Sequence, residues 1–245
     1  SLQRHPFEPA YIYEAAISQL KGLPIAGVIW YQGESNAHNA GHYQNAFPAL
    51  VQSWRKTFNQ TDLPFYFAQL SSINRPSWPY FRDVQRKLTQ TVPNTVMVVT
   101  SDLGDSLDVH PVRKIEVGQR FAYTALANVY NIGGIRAGSP EIISVLHENG
   151  KLILTFSNAQ SLTTSTDQPL RELEIAGKIG LFKPVSAQLN GNQIIVATPT
   201  DTITRVRYGW KPFSRGNLVN ELGWPASTFE AEILFELNKK TICRE

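Results

Sequence analysis

Three short apolar runs, Val28-Ile-Trp-Tyr31, Leu63-Pro-Phe-Tyr-Phe-Ala-Gln-Leu70 and Thr95-Val-Met-Val-Val-Thr100, are each followed by a longer stretch of helical spacing. No other feature constrains the fold as tightly. The stretch over about 40–58 places Tyr43, Phe47, Leu50, Val51, Trp54 and Phe58 on one face, with Pro48 as a potential break. Further helices are predicted over about 80–91 and 113–130, and another precedes the first run at 8–21, stopped by Gly22 and Pro24. Connections this long cannot be hairpins, so the strands must run parallel, with helices covering the sheet. From about residue 139 the pattern changes to short alternating or apolar runs between Gly, Asn and Pro turns, at 151–156, 193–197, 203–208 and 231–237. That pattern predicts an antiparallel β region. The expected fold class is therefore α/β, a partial doubly wound parallel-sheet layer over 1–138 followed by an antiparallel β-rich, sandwich-like region over 139–245.

Composition narrows the function classes. With 245 residues, 42% hydrophobic and 18% charged, the chain lies in the ordinary globular range. Its 23 basic and 20 acidic residues leave a net charge of +3 with no long basic run, which gives no case for nucleic acid or an anionic membrane. No run approaches the roughly 20 apolar residues of a membrane span, and no charged-then-apolar leader opens the chain. Cys243 is the single cysteine, so an internal disulfide, a cysteine zinc cluster and a CxxC pair are excluded. Ser1 is not an initiator methionine, which suggests a processed chain or a fragment.

Two polar constellations follow buried strands, and open α/β sheets bind ligands at the carboxyl ends of their strands. In the first, Gly33 lets the backbone turn so that Gln32, Glu34 and Asn36 cluster beyond the strand that ends near Tyr31. The second is Ser101-Asp-Leu-Gly-Asp-Ser-Leu-Asp-Val-His-Pro111, where three aspartates precede His110. An imidazole beside a carboxylate is a general base for activating a hydroxyl, because the carboxylate fixes the tautomer and stabilises the imidazolium. Asp108 is nearest in sequence, and Glu34 could occupy the same place; the residues leave both open.

The combination resembles the sialate O-acetylesterase family of the SGNH-hydrolase superfamily over nearly the whole chain. The matching elements are Trp30-Tyr-Gln-Gly-Glu-Ser-Asn36, Trp54-Arg55, Asp62-Leu-Pro-Phe-Tyr-Phe67, Gln69-Leu70, Asp102-Leu-Gly-Asp105, Asp108-Val-His-Pro111, Val117-Gly-Gln-Arg120, Val206-Arg-Tyr-Gly-Trp210 and Asn217-Leu-Val-Asn220. The resemblance implies a carbohydrate O-acetylesterase acting on sialic acids by serine acyl transfer, with His110 as catalytic base, Gln32 helping to hold the oxyanion, and Glu34 or Asp108 orienting the histidine. It also implies an O-acetylated sugar as substrate, no cofactor, and a secreted, periplasmic or lysosomal setting. One departure stands out: the family's nucleophile lies in a Gly-Gln-Ser-Asn element that is absent from this sequence. The expectation is that an N-terminal segment or separate chain supplies that serine. Ser35, in a turn that imitates the element, is assigned a local bond instead. A second departure is the Asp-x-His spacing at Asp108 and His110, where many relatives have Asp-x-x-His.

The remaining candidates concern the substrate. Asn36, Trp78 and Arg82 are expected to bind it, the last two from a polar loop in which an aromatic face and a guanidinium suit a sugar and its carboxylate. His38 and His42 stand four apart, but without a glutamate motif between them they call for no metal. An acetylxylan-type esterase and a non-catalytic glycan-binding protein remain as alternatives, as does a purely structural partner subunit.

Overall fold

The computed structural model describes residue 5 and residues 8–166, 168–198 and 202–235. Strands β1 (Val28–Trp30), β2 (Phe65–Gln69) and β3 (Thr95–Val99) form a parallel sheet in the order β1-β2-β3, with Val28 opposite Phe65 and Phe65 opposite Thr95. The helices are α1 (Tyr11–Ala15), α2 (Ala40–Thr57), α3 (Trp78–Thr91) and α4 (Lys114–Asn128). Period-two alternation sends Val28, Phe65, Phe67, Met97 and Val99 to one face, where they pack with Tyr43, Phe47 and Val51 of α2 and Trp78, Phe81 and Leu88 of α3. Tyr66, Ala68 and Val98 face the other way, onto Val117 and Phe121 of α4. The sheet is thus covered on both faces, as the sequence predicts.

Two helices depart from expectation. Pro48 lies inside α2 without ending it. A proline there costs about 3 kcal/mol, but Tyr43, Phe47 and Val51 are each at most 3% exposed, and burying each side chain returns roughly 1.5–3 kcal/mol. Packing wins over propensity. The helix predicted over 8–21 instead breaks into α1 and a separate 3₁₀ turn, Ile17–Leu20, because Ala16 (φ −123°) leaves the helical region. None of its residues is buried, and Ile12 is 64% exposed, so nothing compensates the cost of helix nucleation. Helix α3 begins at Trp78, ahead of the predicted start, with Pro79 in its first turn, where a missing N–H costs nothing.

Beyond α4 the chain forms β4 (Glu141–Glu148), β5 (Lys151–Ser157), β6 (Leu162–Thr164), β7 (Leu173–Gly177), β8 (Lys183–Pro184), β9 (Gln188–Asn190), β10 (Gln193–Ala197), β11 (Ile203–Tyr208), β12 (Leu218–Asn220), β13 (Phe229–Glu232) and β14 (Leu234–Phe235). They make sheets in the orders β14-β4-β5-β10-β9 and β13-β11-β7-β8, with β12-β6 as a separate pair. Leu152, Leu154, Phe156, Ile194 and Val196 from the first sheet share one core with Leu173, Val206, Tyr208 and Phe229 from the second, and the Phe156 and Phe229 rings lie 5.9 Å apart. This is sandwich packing. The single strand predicted over 231–237 is two, β13 and β14, which join different sheets, and β14 pairs with β4 in parallel. Glu236, Leu237 and Cys243 lie outside the described residues.

Arg82 sits where the two layers meet. Fully buried, it donates to Ser72 Oγ at 2.7 Å and, across the junction, to the carbonyls of Gly209 at 3.0 Å and Lys211 at 2.6 Å. Burial lowers its pKa to about 10, against the opposing pull of the Glu172 carboxylate and Tyr208. Trp78 is 1% exposed and its indole donates to Ser71 O at 2.7 Å. The expectation that Trp78 and Arg82 bind substrate is therefore corrected: neither reaches solvent, and the Trp78 indole N–H and both terminal nitrogens of Arg82 bond backbone and hydroxyl oxygens within the protein.

Candidate active site

The carboxyl ends of β1, β2 and β3 lie at one edge of the sheet, and each opens into a polar loop. After β1, Gly33 adopts φ 143°, and a Cβ on it would stand 2.7 Å from the Phe81 ring, so both backbone and space require glycine. The turn closes as a 3₁₀ segment, Glu34–Asn36, in which Asn36 N donates to Gly33 O at 2.9 Å. Gln32 Nε2 donates to Asn36 Oδ1 at 2.7 Å. That bond uses one N–H of Gln32 and the oxygen of Asn36, leaving the second Gln32 N–H and the Asn36 amide nitrogen as donors. Ser35 is exposed on the same turn.

Glu34 is partly buried and, among the described residues, makes no ion pair. Its field reaches Tyr43, whose hydroxyl is pushed up to about 12, first by burial, with a contact to Trp30 opposing and the Glu34 carboxylate adding. Tyr43 in turn donates to Gln32 O at 3.5 Å, a long bond that ties the turn to α2.

After β3, His110 and Asp108 form a closed unit. Asp108 Oδ1 accepts the His110 backbone N–H at 2.9 Å and lies 2.8 Å from His110 Nδ1. The backbone N–H first, and then the ring, hold the Asp108 carboxyl below its ordinary range. With Nδ1–H directed to the carboxylate, Nε2 carries the lone pair and can accept a proton. The ring is 78% exposed, open to whatever approaches the edge. The residues alone left the acid open between Asp108 and Glu34; in the structure Asp108 bonds the ring and Glu34 does not.

Hydrogen bonds tie the loops together. Tyr31 Oη and Ser71 Oγ are 2.7 Å apart, Ser71 Oγ and Thr100 Oγ1 are 3.0 Å apart, and Thr100 Oγ1 donates to Gln69 O at 2.7 Å. Lys114 Nζ, in the first turn of the helix that follows His110, stands 5.9 Å from the Tyr31 ring centroid, and Val109 packs against the same core as Trp30 and Tyr31. Arg120 holds the base of the histidine loop, giving two 2.7 Å bonds to the Asp102 carboxylate and one to Val99 O at 2.7 Å. Gly104 lies so close to Ser72 that a Cβ would come within 2.1 Å of its carbonyl oxygen. The structure thus brings Gln32, Asn36, Asp108 and His110 to one edge and leaves Trp78 and Arg82 in the interior. Sequence reasoning assigned no role to Ser71 or Thr100, isolated polar residues after strands, and quoted Asp102 and Arg120 only as parts of matching motifs, because their pairing spans two elements.

Among known proteins, a family model described as "Carbohydrate esterase, sialic acid-specific acetylesterase" matches residues 4–127, half of the chain. The chain is 33% identical over 233 residues to sialate O-acetylesterase of Homo sapiens, covering 84% of this chain and 44% of that protein. To sialate O-acetylesterase of Mus musculus it is 28% identical over 232 residues, covering 84% and 43%. A crystal structure of a carbohydrate acetylesterase from Xanthomonas citri superposes with a TM-score of 0.78 at 32% identity, covering 86% of this chain and 51% of that one. The chain spans less than half the length of these curated relatives. With the family model matching over the layer that carries the Gln32 and His110 loops, the chain belongs to the sialic acid-specific acetylesterase family of carbohydrate esterases.

Proposed function

We propose that this chain forms the histidine-bearing part of a carbohydrate O-acetylesterase that removes acetyl groups from sialic acids. The observation that carries this reading is the hydrogen-bonded Asp108–His110 pair at the same sheet edge as the Gln32–Asn36 amide pair. In the reaction a serine oxygen attacks the acetyl carbonyl while His110 Nε2 takes the hydroxyl proton. Asp108 keeps the ring in the required tautomer, and the free amide N–H groups of Gln32 and Asn36 meet the oxyanion. His110 then returns the proton to the departing sugar oxygen, and water repeats the cycle to release acetate.

The serine comes from an N-terminal segment that adds to β1. Among the described residues β1 pairs with β2 alone, and its Ile29 is 60% exposed. A parallel strand laid along that edge would end beside Gln32, where a nucleophile is needed. Beside the same strand, an apolar groove of about 760 Å³ between α1, α2 and Trp30 offers that segment a hydrophobic seat. The 1–138 layer is the catalytic domain and the 139–245 region packs against it through the Arg82 junction. No helix among the described residues is long and apolar enough to cross a membrane, and the expected setting is secreted, periplasmic or lysosomal.

In the full-length protein, His110→Ala is expected to abolish acetate release from O-acetylated sialic acid while leaving the circular-dichroism spectrum unchanged. Wild-type turnover in that variant would remove the assignment. A panel including acetylated xylan distinguishes the sialate reading from the acetylxylan alternative, and saturable sugar binding without acetate release would favour a glycan-binding protein.

A further inference from the structure

A groove of about 440 Å³ lies between α3 and the sheet that contains β11 and β13, lined at one end by Ala40, Tyr80 and Trp210. Ala40 is the first residue of α2, directly beyond the Gln32–Asn36 turn, and Tyr80 lies in the first turn of α3, which follows β2. Both positions belong to the carboxyl edge of the sheet. The groove therefore opens at the rim where the ester chemistry is proposed and leads away from it along α3. Its size falls within the range of small-molecule sites, which combine apolar surface with a few placed polar groups.

Tyr80 and Trp210 meet edge to face, with ring centroids 5.2 Å apart and planes at 77°, and form an aromatic corner. Tyr80 is 59% exposed, although its neighbours Trp78, Phe81 and Arg82 are all buried. Trp210 is flanked by Arg207, whose guanidinium lies 5.9 Å from its ring centroid and 3.9 Å from that of Phe182 and pairs with Glu174 at 2.7 Å. An exposed aromatic face braced in this way offers a flat apolar surface with a hydroxyl at its tip.

The charges on the walls select the ligand. Asp83, Glu230 and Glu232 stand against Lys87 and Arg205, and the buried Arg86 behind the wall also pairs with Asp83 at 2.8 Å, so carboxylates and cations balance. Both lining cations already face a carboxylate: Lys87 pairs with Asp83 at 2.6 Å and Arg205 lies 3.9 Å from Glu230. Among the described residues every cation lining the groove already faces a carboxylate, so a sialic acid carboxylate would lose its hydration there without gaining an ion pair. A neutral sugar fits these walls, with its C–H face on the aromatic corner and its hydroxyls donating to the half-buried carboxylate of Glu230 and the exposed one of Glu232.

We infer that this groove is a subsite for a neutral hexose unit of the glycan whose acetylated sugar lies at the sheet edge, an inference that rests on the esterase reading for its place in the reaction. Titration of lactose into the chain, followed through the ¹⁵N-labelled indole N–H of Trp210, tests it. Lactose is expected to shift that resonance saturably, and N-acetylneuraminic acid at the same concentrations to leave it in place. Tyr80→Ala, a substitution at an exposed position, is expected to weaken lactose binding by roughly 5- to 10-fold, the size of one lost aromatic contact. No saturable shift with lactose, equal lactose affinity in Tyr80→Ala, or a response to N-acetylneuraminic acid matching that to lactose would each overturn the subsite. Acetate release by the full-length enzyme is measured separately. Its absence with lactose binding intact would remove the esterase reading alone, whereas its presence without lactose binding would remove the subsite alone.

Discussion

Gln32 and Arg82 are both committed to hydrogen bonds, yet the consequences of losing them differ because one is at the edge and the other in the interior. In the full-length protein, Gln32→Ala removes an N–H proposed to meet the oxyanion, a loss worth about 2.7–4 kcal/mol in the barrier. The expected result is a kcat lower by roughly 10²- to 10³-fold with KM little changed; an effect confined to KM would place Gln32 on the ground-state substrate instead. Arg82→Met would remove the donor of the Lys211 carbonyl and one donor each from Ser72 Oγ and the Gly209 carbonyl, which keep the Ser214 N–H at 3.3 Å and the Thr228 hydroxyl at 3.4 Å. A buried group left unsatisfied costs about 1–3 kcal/mol, so the chain should lose at least roughly that much in urea denaturation. Unchanged stability with a raised KM would return Arg82 to the substrate.

The elements show where pattern yields to packing. α2 survives Pro48 because its apolar face is buried, while the comparable pattern over 8–21 yields only a short helix because no surface covers it. Between elements, Glu221 joins three segments: it accepts the N–H groups of Gln160 at 3.0 Å and Ser161 at 3.2 Å and pairs with Arg136. Although desolvation works against it, the backbone N–H bonds and the guanidinium lower its pKa to about 2. A carboxyl whose pKa is lowered on folding contributes stability that is fully present above its unfolded value, about 4.5, and is lost as pH falls towards its folded value. Melting temperatures at pH 7 and pH 3 test this. Glu221→Gln should destabilise the chain at pH 7 and less so at pH 3; an equal effect at both would show that the carboxylate charge is irrelevant.

For the whole molecule, the open side of β1 is the feature with the largest consequence. Val28 N donates to Pro64 O at 2.8 Å, so the alternation along the strand turns the N–H and C=O of Ile29 to the side where no strand pairs among the described residues. Unpaired edges invite pairing with another strand. If the proposed segment adds there, the Ile29 amide should exchange quickly with solvent deuterium in this chain alone and much more slowly in the full-length protein. Equal exchange in both would show that no strand joins β1.

Much of this architecture is legible along the chain. Strands β1 to β3 and helices α2 to α4 follow from periodicity, since a face that must be buried repeats every two residues in a strand and every 3.6 in a helix. The Gln32 turn and the aspartate-rich loop that carries His110 are equally legible as places for polar chemistry, since both are local motifs that follow buried strands. The errors concern residues whose environment is made by distant segments. Arg82 looks like an exposed loop residue until the segment after β11, more than a hundred positions later, closes over it, and Trp78 until α2 and the parallel sheet enclose it. The hydroxyl chain from Tyr31 through Ser71 to Thr100 joins three separate loops and has no signature in any of them. The amino-acid sequence by itself thus determined the strand and helix order and the groups available for chemistry, because periodicity and turn chemistry are local. Only the tertiary structure decided which carboxylate holds the histidine and which polar side chains are structural, because burial and hydrogen-bond partners depend on what packs from elsewhere in the chain.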